Sequence, residues 1–193
     1  DVEWDEDSIK NYVTRIERVL RAVDELKSLD GAEKMSVDAW LISRLNSRVG
    51  AINEAMDDYD LRRMANEVYF ETLADVRWYI RRGGNNENTA SKVLSMWVRM
   101  MAPITPHIAE EVWESLGNED FVSIAPYPEA IGEDIDIVAE VAESYLGEVM
   151  ADVNEILKVT GIAPKRIILY TTPQWKRDVL DLALDMSGED SLT

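Results

Sequence analysis

Between Ser8 and Leu29, apolar side chains recur every three or four positions: Ile9, Tyr12, Val13, Ile16, Val19, Leu20, Val23 and Leu26. That spacing aligns them along one stripe and predicts an amphipathic helix with a single buried face. The segment "SLDGAEK" breaks the pattern, with Gly31 read as the helix stop. A second stripe opens at Ser36, carries Trp40, Leu41, Leu45, Val49, Ile52 and Met56 inward, and closes at "DDYD". Asp60 then caps a third helix bearing Leu61, Ala65, Val68, Tyr69, Leu73, Val76 and Ile80, which ends at Gly83-Gly84. After the polar turn "NNEN", a fourth helix is expected from about Thr89 through Val93, Leu94, Trp97, Val98 and Met101. Pro103 interrupts it, because proline has no N–H to donate and its ring clashes with the preceding turn. Thr105-Pro106 restarts a helix, "PHIAEEVWESLG", with Ile108, Val112 and Trp113 inward and Glu110, Glu111 and Glu114 outward.

Beyond Gly117 the texture changes. The two prolines of "FVSIAPYPEA" predict an extended connector running over the bundle surface. A long helix follows from about Asp136 to Val159, with Val138, Val141, Tyr145, Val149, Val153 and Ile156 as its inward stripe. "KRIILYTT" is short, apolar and β-branched, which predicts a buried strand. Thr172-Pro173 opens a last helix, "PQWKRDVLDLALDM", and the tail "SGEDSLT" is expected to be loose. The fold class is therefore mainly α: an antiparallel helical bundle followed by a small helix–strand–helix segment. The natural division places the bundle and its connector at 1–130 and the second segment at 131–193. A lone strand cannot satisfy its own hydrogen-bond ladder, so the second segment is expected to be the start of a larger α/β unit.

Composition narrows the function. Hydrophobic residues make up 46% of 193 and include six tryptophans, ample for a packed core. No run of about 18 apolar residues offers a membrane span, and the acidic opening "DVEWDEDSIK" lacks the layout of a signal peptide. Cysteine is absent, which excludes a disulfide framework and fits a reducing cytosol. With a single histidine, a transition-metal centre is not expected. The net charge of −18 argues against indiscriminate binding to nucleic acid. That charge is unevenly spread: residues 61–100, with seven basic and four acidic side chains, form a net-positive window in an acidic chain.

Within that window, "DVRWYIRR" places Arg77 and Arg81 four apart on one helical face, with Trp78 and Arg82 on the adjacent stripe. Guanidinium groups hold phosphates bidentately, and an exposed tryptophan stacks on a base. Trp78 reads equally as a core residue, and the arginines as partners of Glu71, Asp75 or the acidic fifth helix. Nothing else is arranged for chemistry. His107 sits in a first helical turn as a structural histidine would, and the pairs Glu110-Glu111 and Asp57-Asp58 read as solvated faces. Lys34-Met35-Ser36 matches the start of a KMSKS loop, but Val37 and Asp38 stand where a second lysine would have to hold phosphate charge. Helix-start chemistry accounts for the stretch instead: Ser36 as N-cap, Asp38 in the first turn, and Met35 with Trp40 as a hydrophobic staple.

Taken together, "DAWLISRLN", "NEVYFETLADVRWYIRR" and "MWVRMMAPITPHIAEEVWESLG" followed by "FVSIAPYPE" resemble the helical anticodon-binding domain of class I aminoacyl-tRNA synthetases, the branch handling leucine, isoleucine, valine and methionine. "MAPITPHIAEEVWE" is the most specific piece. "DVRWYIRR", "RIILYTTPQWKRDVLDLAL" and the opening "DVEWDEDSIKNY" are similar to the archaeal-type leucyl-tRNA synthetases in particular. The resemblance implies a parent ligase that activates leucine with ATP and Mg in the cytoplasm and transfers it to tRNA(Leu). It implies no catalytic centre and no cofactor in this stretch itself, and no membrane. The partners it implies are the tRNA, met through backbone and shape, and the remainder of the same synthetase chain. On this reading Arg77, Arg81 and Arg82 face tRNA, with Trp78 and Lys92 beside them. An isoleucine, valine or methionine enzyme, or a stand-alone helical interaction module, are the alternatives.

Overall fold

The computed structural model describes residues 6–187. The chain divides into two compact units, one through Val149 and the other from Met150. The first is built from α1 (Glu6–Lys27), α2 (Ser36–Asp57), α3 (Leu61–Asn66), a π-helical turn (Glu67–Glu71), α4 (Thr72–Arg81), α5 (Glu87–Met101) and α6 (Pro106–Ser115). Two 3₁₀ turns, Val122–Ile124 and Gly132–Asp134, lead into α7 (Ile137–Thr160). The second unit holds the end of α7, an irregular link and α8 (Gln174–Ser187).

The α2 helix lies at the centre of the bundle, against α3, the π turn, α4 and α5, while α1 packs on α4 and α5, and α6 on α5. The core is the set the periodicity named: Val19, Val23, Leu26, Trp40, Leu41, Leu45, Val49, Ile52, Val68, Leu73, Val76, Val93, Trp97, Met101, Val112 and Trp113 are buried together. Each large side chain withdrawn there stabilises the fold by about 1.5–3 kcal/mol. The stripe of α1 is covered only in its second half; Ile9, Tyr12 and Val13 are exposed. Met56 and Leu61, expected inward, also face solvent at the α2–α3 corner.

The π turn has identifiable causes. The Thr72 hydroxyl donates to the Glu67 carbonyl at 2.8 Å, and the buried Trp97 indole donates to the Val68 carbonyl at 2.8 Å. Side chains thus satisfy carbonyls in the stretch where the helical hydrogen-bond ladder widens.

Helix starts and stops follow local chemistry with some corrections. Asp60 caps α3 by accepting from the Arg63 N–H at 2.9 Å, and Asn86 caps α5 by accepting from the Thr89 N–H at 2.9 Å. Gly83, at φ +84°, ends α4. Pro106 is the first residue of α6, as expected, but the Thr105 hydroxyl bonds the Tyr69 hydroxyl rather than a backbone N–H. Gly31 does not stop α1, which ends four residues earlier; a Cβ there would collide with the backbone of Asn85, so the glycine serves a close approach. At α2 the cap falls on Met35, and Ser36 is the first helical residue with an exposed side chain. The serine-cap and staple readings are thereby replaced. Asp38 does the capping work by accepting the Met35 N–H at 2.6 Å.

Two further expectations give way. Residues 161–173 form no strand, and Ile167, Ile168, Leu169 and Tyr170 are exposed. A strand exists only against a ladder partner, and among the described residues none lies beside it. On α7, Val138, Val141, Tyr145 and Ile156 are exposed rather than inward. The side chains that α7 turns towards α2 and α4 include Glu140 and Glu143, beside Ala139 packed against the core. The expectation of a loose tail falls largely outside the described residues.

Candidate nucleic-acid interface

The α4 helix carries the basic window, and its inward residues Leu73, Val76 and Tyr79 fix its rotation against the core. Tyr79 is pinned by its hydroxyl, which donates to Asp38 Oδ1 at 2.7 Å and accepts the Asn86 N–H at 3.0 Å. Burial, then the hydrogen bond from Tyr79 to the Asp38 carboxylate, pushes its phenol pKa well above the ordinary value. With that face inward, Arg77 and Arg81 are left exposed on the opposite side.

The predicted site residues then separate by what each touches. Arg77 has no ion pair among the described residues. The Arg81 guanidinium lies 4.5 Å from the centre of the Trp78 ring, a cation–π stack. Trp78 is half-buried, and its indole N–H donates to Glu143 Oε2 at 2.8 Å. Arg82 grips the same carboxylate with both arms of its fork, at 2.9 and 3.2 Å. Burial pushes the Glu143 carboxyl up, but hydrogen bonds from Arg82 and Trp78 outweigh it and hold the group below its ordinary value. Lys92, on α5, pairs with Asp134 at 2.6 Å, away from this cluster. Arg77, Trp78, Arg81 and Arg82 therefore form one patch, and Lys92 stands apart in an ion pair of its own.

Sequence reasoning missed the two arginines of α2. Arg48 is enclosed by three carboxylates: Asp75 at 2.9 Å, Glu67 at 2.8 Å and Glu71 at 3.1 Å. Arg44 reaches Asp75 at 3.4 Å and Glu140 at 3.2 Å, and the Ser43 hydroxyl donates to Glu140 at 2.5 Å. Burial raises the Asp75 carboxyl above its ordinary value even though Arg48 and Arg44 pull it down. These groups tie α2, the π turn, α4 and α7 together and pair each charge with an opposite one. The available signal was the spacing of Glu67, Glu71 and Asp75 against Arg44 and Arg48, two rows four residues apart on adjacent helices.

His107 is exposed on α6, and Glu110 is engaged by the Val122 and Ser123 backbone N–H groups at 2.8 and 3.2 Å. Among the described residues no group of His, Cys, Asp and Glu is arranged to hold a metal ion, and no helix is long and apolar enough to cross a membrane. The patch can offer two exposed guanidinium groups and an aromatic face, the equipment for contacting a phosphate backbone.

Comparison with known proteins identifies the family. The family described as the anticodon-binding domain of tRNA ligase matches residues 38–169. The leucine–tRNA ligase of Methanothrix thermoacetophila is 41% identical over 191 residues, covering 97% of this chain and 20% of that protein. That of Methanocaldococcus jannaschii is 38% identical over 183 residues, covering 95% of this chain and 19% of that protein. The chain thus spans about one fifth of the length of these curated relatives. In fold it is similar to the agnB2 LeuRS of Agrobacterium radiobacter K84, solved as a ternary complex with tRNA and LeuAMS. The TM-score is 0.57 at 18% identity, covering 70% of this chain and 18% of that one. With residues 38–169, most of the chain, matched to one family, the chain belongs to the anticodon-binding domains of tRNA ligases.

Proposed function

We propose that the chain is the tRNA-facing helical part of a leucine–tRNA ligase. The observation that carries this is the 41% identity to a leucine–tRNA ligase across 97% of the chain. On this reading the whole enzyme works in the cytoplasm and joins leucine to tRNA(Leu) using ATP and Mg, and its catalytic groups lie elsewhere in the protein. Residues 1–130 would form the tRNA-binding bundle and residues 131–193 the start of a C-terminal α/β segment. Contacts run to phosphates and overall shape rather than to base edges, because the exposed groups are guanidiniums on an otherwise acidic surface. Arg77 and Arg81 are ready to act, whereas Arg82, Trp78 and Lys92 act after leaving their present partners.

The test is a filter-binding titration of tRNA(Leu) against the full-length protein at several salt concentrations. Replacing both Arg77 and Arg81 by Ala is expected to weaken binding and flatten the salt dependence by about one to two in log–log slope. No binding at high micromolar protein would favour a helical interaction module without a nucleic-acid role. Charging of isoleucine, valine or methionine in place of leucine would move the assignment to a sister enzyme. The 193-residue chain alone is expected to give no ATP–pyrophosphate exchange.

A further inference from the structure

The first half of α7 is turned the unexpected way. An apolar stripe is available on Val138, Val141 and Tyr145, yet these are exposed, and Glu140 and Glu143 face the bundle. Glu143 is itself buried. Its two oxygens take the bidentate fork of Arg82 and the indole N–H of Trp78. A carboxylate in that position presents two anionic oxygens to a planar fork, as a phosphodiester does. The neighbouring groups continue the pattern: Arg81 stacks on Trp78, and Arg77 lies one helical turn before Arg81 on the same face. The basic strip is thus continuous along α4, and an acidic side chain of α7 fills one end of it.

The contact is also built to be exchanged. The Arg82 side chain retains 35% of its exposure, so a second anion can approach it from solvent. Beside it a cleft of 570 Å³ opens between α4 and α7, bordered by Trp40, Trp78, Glu143 and Gly147, so hydrogen bonds rather than sealed apolar packing hold the two helices here. Withdrawing Glu143 therefore exposes little apolar surface that was not already wet.

We propose that Glu143 is an internal stand-in for an RNA phosphate: it holds the Arg82–Trp78 fork in the free chain and yields it when the tRNA backbone engages Arg77 and Arg81. This rests on the tRNA-binding reading above. Arg82 and Trp78 thereby become part of the tRNA-binding surface only in the complex, and Glu143 tunes affinity from within the chain.

Binding of tRNA(Leu) to the full-length protein tests this with four variants. Glu143→Gln removes the competing charge and is expected to tighten binding about threefold to tenfold at low salt and steepen the log–log slope by about one. Glu148→Gln removes the same charge from an exposed position on the same helix and is expected to change affinity less than twofold. Adding Arg82→Ala to Glu143→Gln is expected to erase the gain. Glu143→Asp keeps the charge but withdraws it by one methylene, and is expected to fall between wild type and Glu143→Gln; it also serves if Glu143→Gln does not fold by circular dichroism. Equal effects of Glu143→Gln and Glu148→Gln, or weaker binding by a folded Glu143 variant, would overturn the proposal while leaving the tRNA-binding reading intact. Absence of any tRNA binding by wild type would remove both.

Discussion

Asp38 shows how much a single buried side chain organises here. It receives the Met35 N–H at one oxygen and the Tyr79 hydroxyl at the other. Tyr79 in turn accepts the N–H of Asn86, whose amide donates to the Ala32 and Glu33 carbonyls at 3.2 Å each. One carboxylate thus links the start of α2, the end of α4, the start of α5 and the loop after α1. Asp38→Ala is expected to destabilise the fold by roughly 2–4 kcal/mol, because the buried Tyr79 hydroxyl and the part-buried Met35 N–H lose their acceptor. Ser36→Ala, on an exposed side chain that caps nothing, is expected to stay within about 0.5 kcal/mol of wild type. Urea unfolding of the two variants separates them, and equal losses would return the cap to Ser36. Both residues were visible in the sequence as helix-start candidates. The choice between them depended on Tyr79, 41 residues away, which no local pattern could supply.

Between elements, charge does the joining that apolar stripes do inside the bundle. Arg48 holds Glu67, Glu71 and Asp75, and removing it leaves a buried carboxylate with only a 3.4 Å contact to Arg44. Arg48→Ala is therefore expected to cost about 3–5 kcal/mol, while Arg48→Met with Asp75→Leu recovers a good part of that loss. Thermal unfolding measures both; a loss under 1 kcal/mol for Arg48→Ala would mean the network is merely decorative. Helix existence and core faces from α2 to α6 were legible because burial there follows the 3.6-residue period. The orientation of α7 was not legible. Its glutamates are drawn in by Arg44, Arg82, Trp78 and Ser43, and such pairings between distant segments leave no periodic trace. Arg77 and Arg81 could be grouped from the sequence because they share a helical face. That Arg82 and Trp78 are already engaged depended again on α7.

For the molecule as a whole, the two units differ in how their apolar side chains are housed. Through Val149 a continuous core is buried. From Met150 onward, Ile156, Ile162, Leu169, Tyr170, Trp175, Val179, Leu180 and Leu182 are exposed. Hydrogen exchange by mass spectrometry is expected to show strong protection in α5 and little in α8, since exposed backbone opens without unfolding the core. Equal protection would mean that α8 has found cover. The resemblance to a known family was legible in contiguous runs such as "MAPITPHIAEEVWE", whereas the strand expected at "KRIILYTT" depended on a ladder partner that the described residues do not contain. One local feature governs how α4 is phased within the bundle. Each α-helical step of four residues overshoots a full turn by about 40°, whereas the wider π turn at Glu67–Glu71 undershoots it. The two errors offset along Glu67, Glu71 and Asp75, which is how one guanidinium meets all three. Downstream, the phase of Arg77 and Arg81 is kept because that turn takes up one residue more than an α-helical turn does. Deleting one residue there would return the turn to α geometry and leave Leu73, Val76 and Tyr79 facing the core, so the turn acts as a spacer that absorbs a residue without turning the helix beyond it.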